Sequence, residues 1–406
     1  MRQVIDKRTA GGRPIRVVLG GQLPPPMSGQ HLATEQELME LRSDVRLEVD
    51  HLAYRFSESF ADQGRMALRK LAGVGAVLRR LVALRISGRI DVFLHPIGGP
   101  SRSSTAKDLL LLPPVMLLSD RTMLRFHGAG HAREWPGERS LLFAVGRRVL
   151  GRCDAAVVQS EANRIDPEWL GIKRLFVIPV RVADELDAAL IRRDDRDERL
   201  RVLYIGHLGP HRGTPQLVGA VAALSEEIAG LELDLAGEPV RGYTEPELRA
   251  QIARLGCEDR IRYHGTVVGQ TKSELLGRAH ILAFPTVFEA ESFGIALVEG
   301  MMWGLQVIAT DWRANSEVLA GASDAVIHSY EPDLQGEITS ALRTVGMALR
   351  RGEVPTFSTA NRAAFERKYL AKDGRSPVAD AAVELARSPR RRIGKQGRAG
   401  APNGNG

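Results

Sequence analysis

The sequence predicts an α/β chain of two doubly wound domains facing a cleft, and three observations carry that prediction. At 406 residues the chain exceeds what one hydrophobic core comfortably holds. Both halves alternate short apolar runs with helical patterns, the rhythm of parallel sheets covered by helices. The segment 279–310 is a complete strand–loop–helix–strand unit, and such units bind ligands in the crevice at their strand ends.

Composition narrows the class. The formal charge is +7, but residues 387–406 hold six basic residues and no acid, leaving 50 basic against 49 acidic elsewhere. The body is nearly neutral, which argues against specific nucleic-acid binding. A module acting through the basic tail alone would bind in a salt-sensitive way lost on deleting 387–406. Cys153 and Cys257 lack metal spacing and read as free thiols in a reducing compartment. Leu109 to Leu118, the most apolar run, is too short to span a bilayer and is broken by Pro113 and Pro114. No metal cluster is visible. The expected location is cytoplasmic, with a peripheral membrane contact.

Residues 1–13 read as a disordered leader and 14–185 as the first domain. Ile15 to Gly20 is a strand, the loop to Gly29 carries three prolines, and a helix follows from about Gln30 to Leu41. Arg65 to Ile86 is a long amphipathic helix: Leu71, Val74, Leu78, Leu81 and Val82 share one face, while Arg65, Arg69 and Arg80 cluster on another. Residues 65–86 could thereby dock on anionic lipid. Asp91 to Leu94 is a strand, a proline-interrupted helix starts near Ser103, and Met123 to Phe126 is a strand ending at His127-Gly128. A histidine at a strand's C-terminal end reaches into the crevice, and His127 is favoured over His131. A helix closes at Gly151, and the strands Ala155 to Gln159 and Leu175 to Pro179 complete the half.

The charged stretch Ile191 to Arg199 falls in a linker, 186–199, before a second domain over 200–355. Its first strand, Val202 to Ile205, runs into a glycine-bounded loop carrying His207 and Arg212. Leu231 to Ala236 is a strand, a helix spans about Glu245 to Leu255, and the next strand and turn reach Val267. In the central unit the strand Ile281 to Phe284 precedes Glu291, Ser292-Phe293-Gly294 opens a helix, and Glu299 lies within it. The exposed N–H groups and positive dipole end at Gly294 suit a phosphate. Each carboxylate accepts several hydrogen bonds, as a vicinal diol requires. A helix from about Thr359 lies in a terminal segment, 356–386, and 387–406 forms a basic disordered tail.

Glu291 and Glu299, eight positions apart, with the flanking Pro285-Thr286, Phe293-Gly294 and the strand Val307 to Thr310, resemble the Glu-x7-Glu signature of retaining GT-B glycosyltransferases of family 4, group 1. The resemblance covers about 15–372 and is most specific over 200–320. It implies the GT-B architecture of two Rossmann-like domains, and transfer of a sugar from a nucleotide-sugar donor to a hydroxyl acceptor with retention. The acceptor would be a glycan, a lipid-linked molecule or a small molecule, and no cofactor is needed beyond the donor. It assigns Glu299 to the ribose, Glu291 and His127 to the transferred sugar, and Val267 to the nucleotide base. Gly29, His207, Arg212 and the Ser292-Phe293-Gly294 turn would meet the diphosphate, and the terminal helix would fold back across both domains. The chain departs from the pattern at Gln30, where a second glycine is expected, and at Val180-Arg181 in place of Asn-Gly. It also has His207 in place of an arginine, and lacks the two glycines expected before Glu317. These departures motivate a rival, a nucleotide-sugar-binding protein without catalysis on the same scaffold.

Overall fold

The computed structural model describes residues 13–24, 29–54, 66–135, 140–193, 199–240, 242–322, 326–327, 333–371 and 376–389. The leader up to residue 12, Arg65, residues 194–198 of the charged linker and the basic tail beyond residue 389 lie outside them. No helix among the described residues is long and apolar enough to cross a membrane.

Two six-stranded, all-parallel sheets form the molecule. The first holds β1 (Ile15–Gly21), β2 (Leu47–Ala53), β3 (Val92–Ile97), β4 (Thr122–Phe126), β5 (Ala155–Val158) and β6 (Leu175–Val177), in the order β2-β1-β3-β4-β5-β6. The second holds β7 (Leu200–Ile205), β8 (Leu231–Ala236), β9 (Ile261–Tyr263), β10 (Ile281–Phe284), β11 (Gln306–Thr310) and β12 (Val326–Ile327), in the order β12-β11-β10-β7-β8-β9. The central strands are apolar on both faces because helices cover both: Val202, Leu203 and Tyr204 in succession are fully buried, as are Ile281, Leu282 and Ala283. The strand order reverses beside β1 in one sheet and beside β7 in the other, so both crevices open at the strands' C-terminal ends.

Three expectations are corrected. The helix Arg102–Leu118 runs through Pro113 and Pro114 instead of breaking. The prolines deprive the carbonyls of Leu109 and Leu110 of their helical donors, and Leu110 lies on the exposed side of the helix. The apolar face of the helix Met66–Ser87 is spent on the core, with Val77, Leu81 and Leu84 buried against Phe93 and Leu111. What it shows to solvent is Arg79, Arg80 and Arg85 with Val82 and Ile86. The C-terminal segment forms two helices where one was expected. Thr359–Lys368 packs Ala364 and Phe365 on the second domain, and Pro377–Arg387 packs Val378, Ala379, Ala382 and Leu385 on the first. Ser358 and Ser376 cap them, each accepting the backbone N–H three residues on.

The chain therefore passes between domains twice, and the two passes hold each other. The Val182 N–H donates to the Tyr369 carbonyl, and the Ala371 N–H donates to the Val182 carbonyl, both at 2.9 Å. This pairing replaces the Asn-Gly turn expected after Pro179: Val180 is buried, and the Arg181 carbonyl accepts from Gln36 Nε2 at 2.6 Å.

Candidate functional site

The central unit folds as its pattern predicts, with β10, the helix Ile295–Met302 and β11 at the expected places. Gly294 caps the helix at φ 67°, a left-handed conformation a Cβ would strain; that Cβ would also stand 3.0 Å from Leu297 and 3.1 Å from Phe284. The loop before it is held down from β11 and beyond. Thr310 Oγ1 donates to the Thr286 carbonyl, Trp312 Nε1 to the Phe288 carbonyl, and Arg313 Nη2 to the carbonyl and carboxylate of Glu289. Arg313 takes the place of the first absent glycine and adopts φ 55°, the left-handed backbone that glycine would supply.

Glu291 and Arg212 meet. Arg212 Nη1 donates to Glu291 Oε2 at 2.5 Å, and its guanidinium lies 3.9 Å from the centre of the Phe288 ring. The loop carrying Arg212 reaches this position because Gly213, at φ 70°, sits directly against Pro285; a Cβ there would stand 2.2 Å from the Pro285 carbonyl oxygen. His207 on the same loop is exposed, and its carbonyl accepts from the Tyr204 hydroxyl at 2.6 Å. Glu299 is bound by a residue no sequence pattern marked: Lys272 Nζ donates to its Oε1 at 2.8 Å and stands 3.4 Å from Glu185. Burial opposes the Lys272 charge, but the two carboxylates outweigh it and hold its pKa above the usual range.

The first domain closes onto this loop around Ser292. The Ser292 hydroxyl lies 2.6 Å from the His127 carbonyl oxygen and 2.9 Å from Gln159 Oε1, and the Ser292 carbonyl accepts from Asn163 Nδ2 at 2.5 Å. Glu317 reaches the other way, its carboxylate accepting the Glu161 and Ala162 N–H groups at 2.9 and 3.0 Å. Gln159, Asn163 and Glu317 escape sequence reasoning because their partners lie more than 120 positions away. The His127 imidazole is partly buried, and burial first, then the Arg125 charge, pushes its pKa down to about 3. The ring is therefore neutral near pH 7, with one nitrogen donating and the other accepting.

The remaining expected residues divide. Gly29 begins the helix Gly29–Ser43, at the positive end of its dipole. Val267 is partly buried beside the core that includes Leu297. Phe293 is 3% exposed, its ring edge-on to Tyr369 at 5.7 Å, so its side chain belongs to the core. His131 is likewise a core residue, edge-on to both Phe126 and Trp135.

Residues 199–344 match the family model described as glycosyl transferases group 1. Among curated proteins, a phosphatidyl-myo-inositol mannosyltransferase of Mycolicibacterium smegmatis is 34% identical over 175 residues, 43% of this chain and 42% of that protein. The match thus spans less than half of that relative's length. Sucrose-phosphate synthase from Thermosynechococcus elongatus superposes with a TM-score of 0.67 at 14% identity, over 91% of this chain and 97% of that one. HepE of Anabaena in complex with UDP and glucose gives 0.62 at 15%, over 92% and 97%. The two parallel sheets, the paired crossings and these neighbours together make this a GT-B fold, with glycosyl transferases group 1 similarity across its second domain.

Proposed function

We propose that the protein transfers a sugar from a nucleotide-sugar donor to a hydroxyl acceptor with retention of configuration. The observation that carries this reading is the placing of Glu291 with Arg212 and the Gly294 helix end, opposite His127. A departing diphosphate gains negative charge, and Arg212 with the free N–H groups at Gly294 would stabilise it. Glu299 would hold the ribose and Glu291 the transferred sugar. Among the described residues no carboxylate is assigned as a covalent nucleophile, so attack on the face the diphosphate leaves would account for retention better than double displacement. The M. smegmatis relative's name makes a mannosyl donor and a lipid-linked polyol acceptor the first pair to try. The exposed arginines of the helix Met66–Ser87 would suit a peripheral contact with anionic lipid on the cytoplasmic side.

Incubating the protein with a panel of nucleotide sugars and acceptors, followed by mass spectrometry and NMR of the product anomer, tests the reading. Donor consumption with a retained anomer is expected. A second reading has one observation in its favour: Arg212 is already paired to Glu291, and its loop neighbour is His207 instead of a permanent cation. Tight donor binding without turnover would select that non-catalytic reading.

A further inference from the structure

We propose that Arg125, Glu37 and Gln159 form a subsite on the first domain that takes the hydroxyl-bearing part of the acceptor. This rests on the transferase reading above. Arg125 is the penultimate residue of β4, and alternation along the strand sets it apart from the core residues Leu124 and Phe126. It is 6% exposed, yet its Nε and Nη1 have no hydrogen-bond partner. Glu37, on the helix Gly29–Ser43, is 5% exposed; its Oε2 stands 3.4 Å from Arg125 Nε, and its Oε1 is unpartnered.

A buried ion pair is a doubtful contributor to stability even when its hydrogen bonds are complete, and this one leaves three polar atoms unmet. Arg125 and Glu37 line a cavity of about 40 Å³, open on one side, between the helix, the Ile178–Arg181 turn, Gln159 and Pro377. The mixture of groups selects its occupant. An anion would suit Arg125 and Arg181 but face Glu37 and Glu40, and a cation would suit the carboxylates but face the two arginines. An apolar group would leave Arg125 Nε and Nη1 and Glu37 Oε1 unmet. A hydroxyl both donates and accepts, so adjacent hydroxyls satisfy guanidinium and carboxylate together. Burial raises the Glu37 pKa, with Arg125 pulling it back and Glu40 raising it further, so the carboxyl is closer to a state in which it can also donate.

The position is what makes the occupant an acceptor. Gln159 borders the cavity and also accepts from the Ser292 hydroxyl, the residue after Glu291. Arg125 lies two residues before His127 and lowers its pKa. An occupant of this cavity is therefore one side chain away from the donor loop.

The test uses the full chain saturated with UDP or GDP, and saturation-transfer NMR with mannitol, methyl hexosides and myo-inositol as probes. Glu37→Gln keeps the shape of the pair, and Arg125→Lys keeps its charge while removing the unmet donors; circular dichroism and melting check that both fold. The expected result is binding of at least one polyol, weakened about ten- to hundredfold in both variants as one hydrogen bond to a charged group is lost. Calorimetric affinity for the nucleoside diphosphate should stay within about twofold, since neither variant alters a donor contact. Polyol binding equal in wild type and folded variants would overturn the proposal. So would a protein that binds the nucleotide but no polyol, its cavity holding solvent alone. Polyol binding without any nucleotide binding is a different signature: the transferase reading fails, and the acceptor assignment fails with it.

Discussion

At Glu299 a single carboxylate is held ready by Lys272 at 2.8 Å. Replacing it by glutamine removes a charge-assisted acceptor, so nucleoside diphosphate affinity should fall by about 1.5–3 kcal/mol, the worth of a hydrogen bond to a charged group. Calorimetry on a folded Glu299→Gln variant decides it, and unchanged affinity would remove Glu299 from the ribose. His127 gives a stability test. Its folded pKa is about 3, against an ordinary value of 6.5. As pH falls below 6.5 the unfolded chain takes up a proton that the folded protein refuses until about 3, so stability declines across that window. His127→Gln should lose about 1–2 kcal/mol less than wild type between pH 7 and 4.5, read from denaturant midpoints. Parallel curves would show that the imidazole is not held neutral. At this scale the sequence showed the residues that form a spaced pattern: Glu291, Gly294, Glu299 and Arg212. Lys272, Gln159, Asn163 and Glu317 were not legible, because each acquires its partner only when distant segments fold together.

Among the elements, those with a strong apolar signal were readable almost to the residue, as β10 and the helix Ile295–Met302 show. Periodicity alone could not tell which apolar face would meet a neighbour. The helix Met66–Ser87 has an apolar stripe that reads equally as core or lipid-facing, and packing on Phe93 decides for core. Its membrane contact would then depend on charge, with Arg79, Arg80 and Arg85 flanked by the exposed Val82 and Ile86. Each basic residue near an anionic surface contributes about 1 kcal/mol. The triple change Arg79→Gln, Arg80→Gln and Arg85→Gln should reduce sedimentation with phosphatidylserine vesicles, and added salt should reduce that of wild type. Equal binding to neutral and anionic vesicles would refute the contact. β2 and the helix Pro377–Arg387 escaped the sequence reading: β2 alternates with charged residues at Glu48 and Asp50, and the last helix earns its place only by docking.

In the whole molecule, the helix Pro377–Arg387 completes the first domain from the far end of the chain, burying Val378, Val383 and Leu385 against β1 and β3. Each such side chain stabilises by about 1.5–3 kcal/mol. Ending the chain at residue 371 should therefore melt the first domain several kcal/mol early, while the second domain retains its calorimetric transition. A single unchanged transition would show that the helix is dispensable. The same arrangement sets an order in time. On the ribosome the first domain is synthesised first but cannot be finished, because the strip of its surface around Val17, Leu19 and Leu38 waits for residues made after the entire second domain. Among the described residues the core of the second domain takes nothing from the chain beyond Leu370, and can close as soon as that residue emerges. The domain that would choose the acceptor thus matures last, and until then it presents an open apolar flank for chaperones to hold.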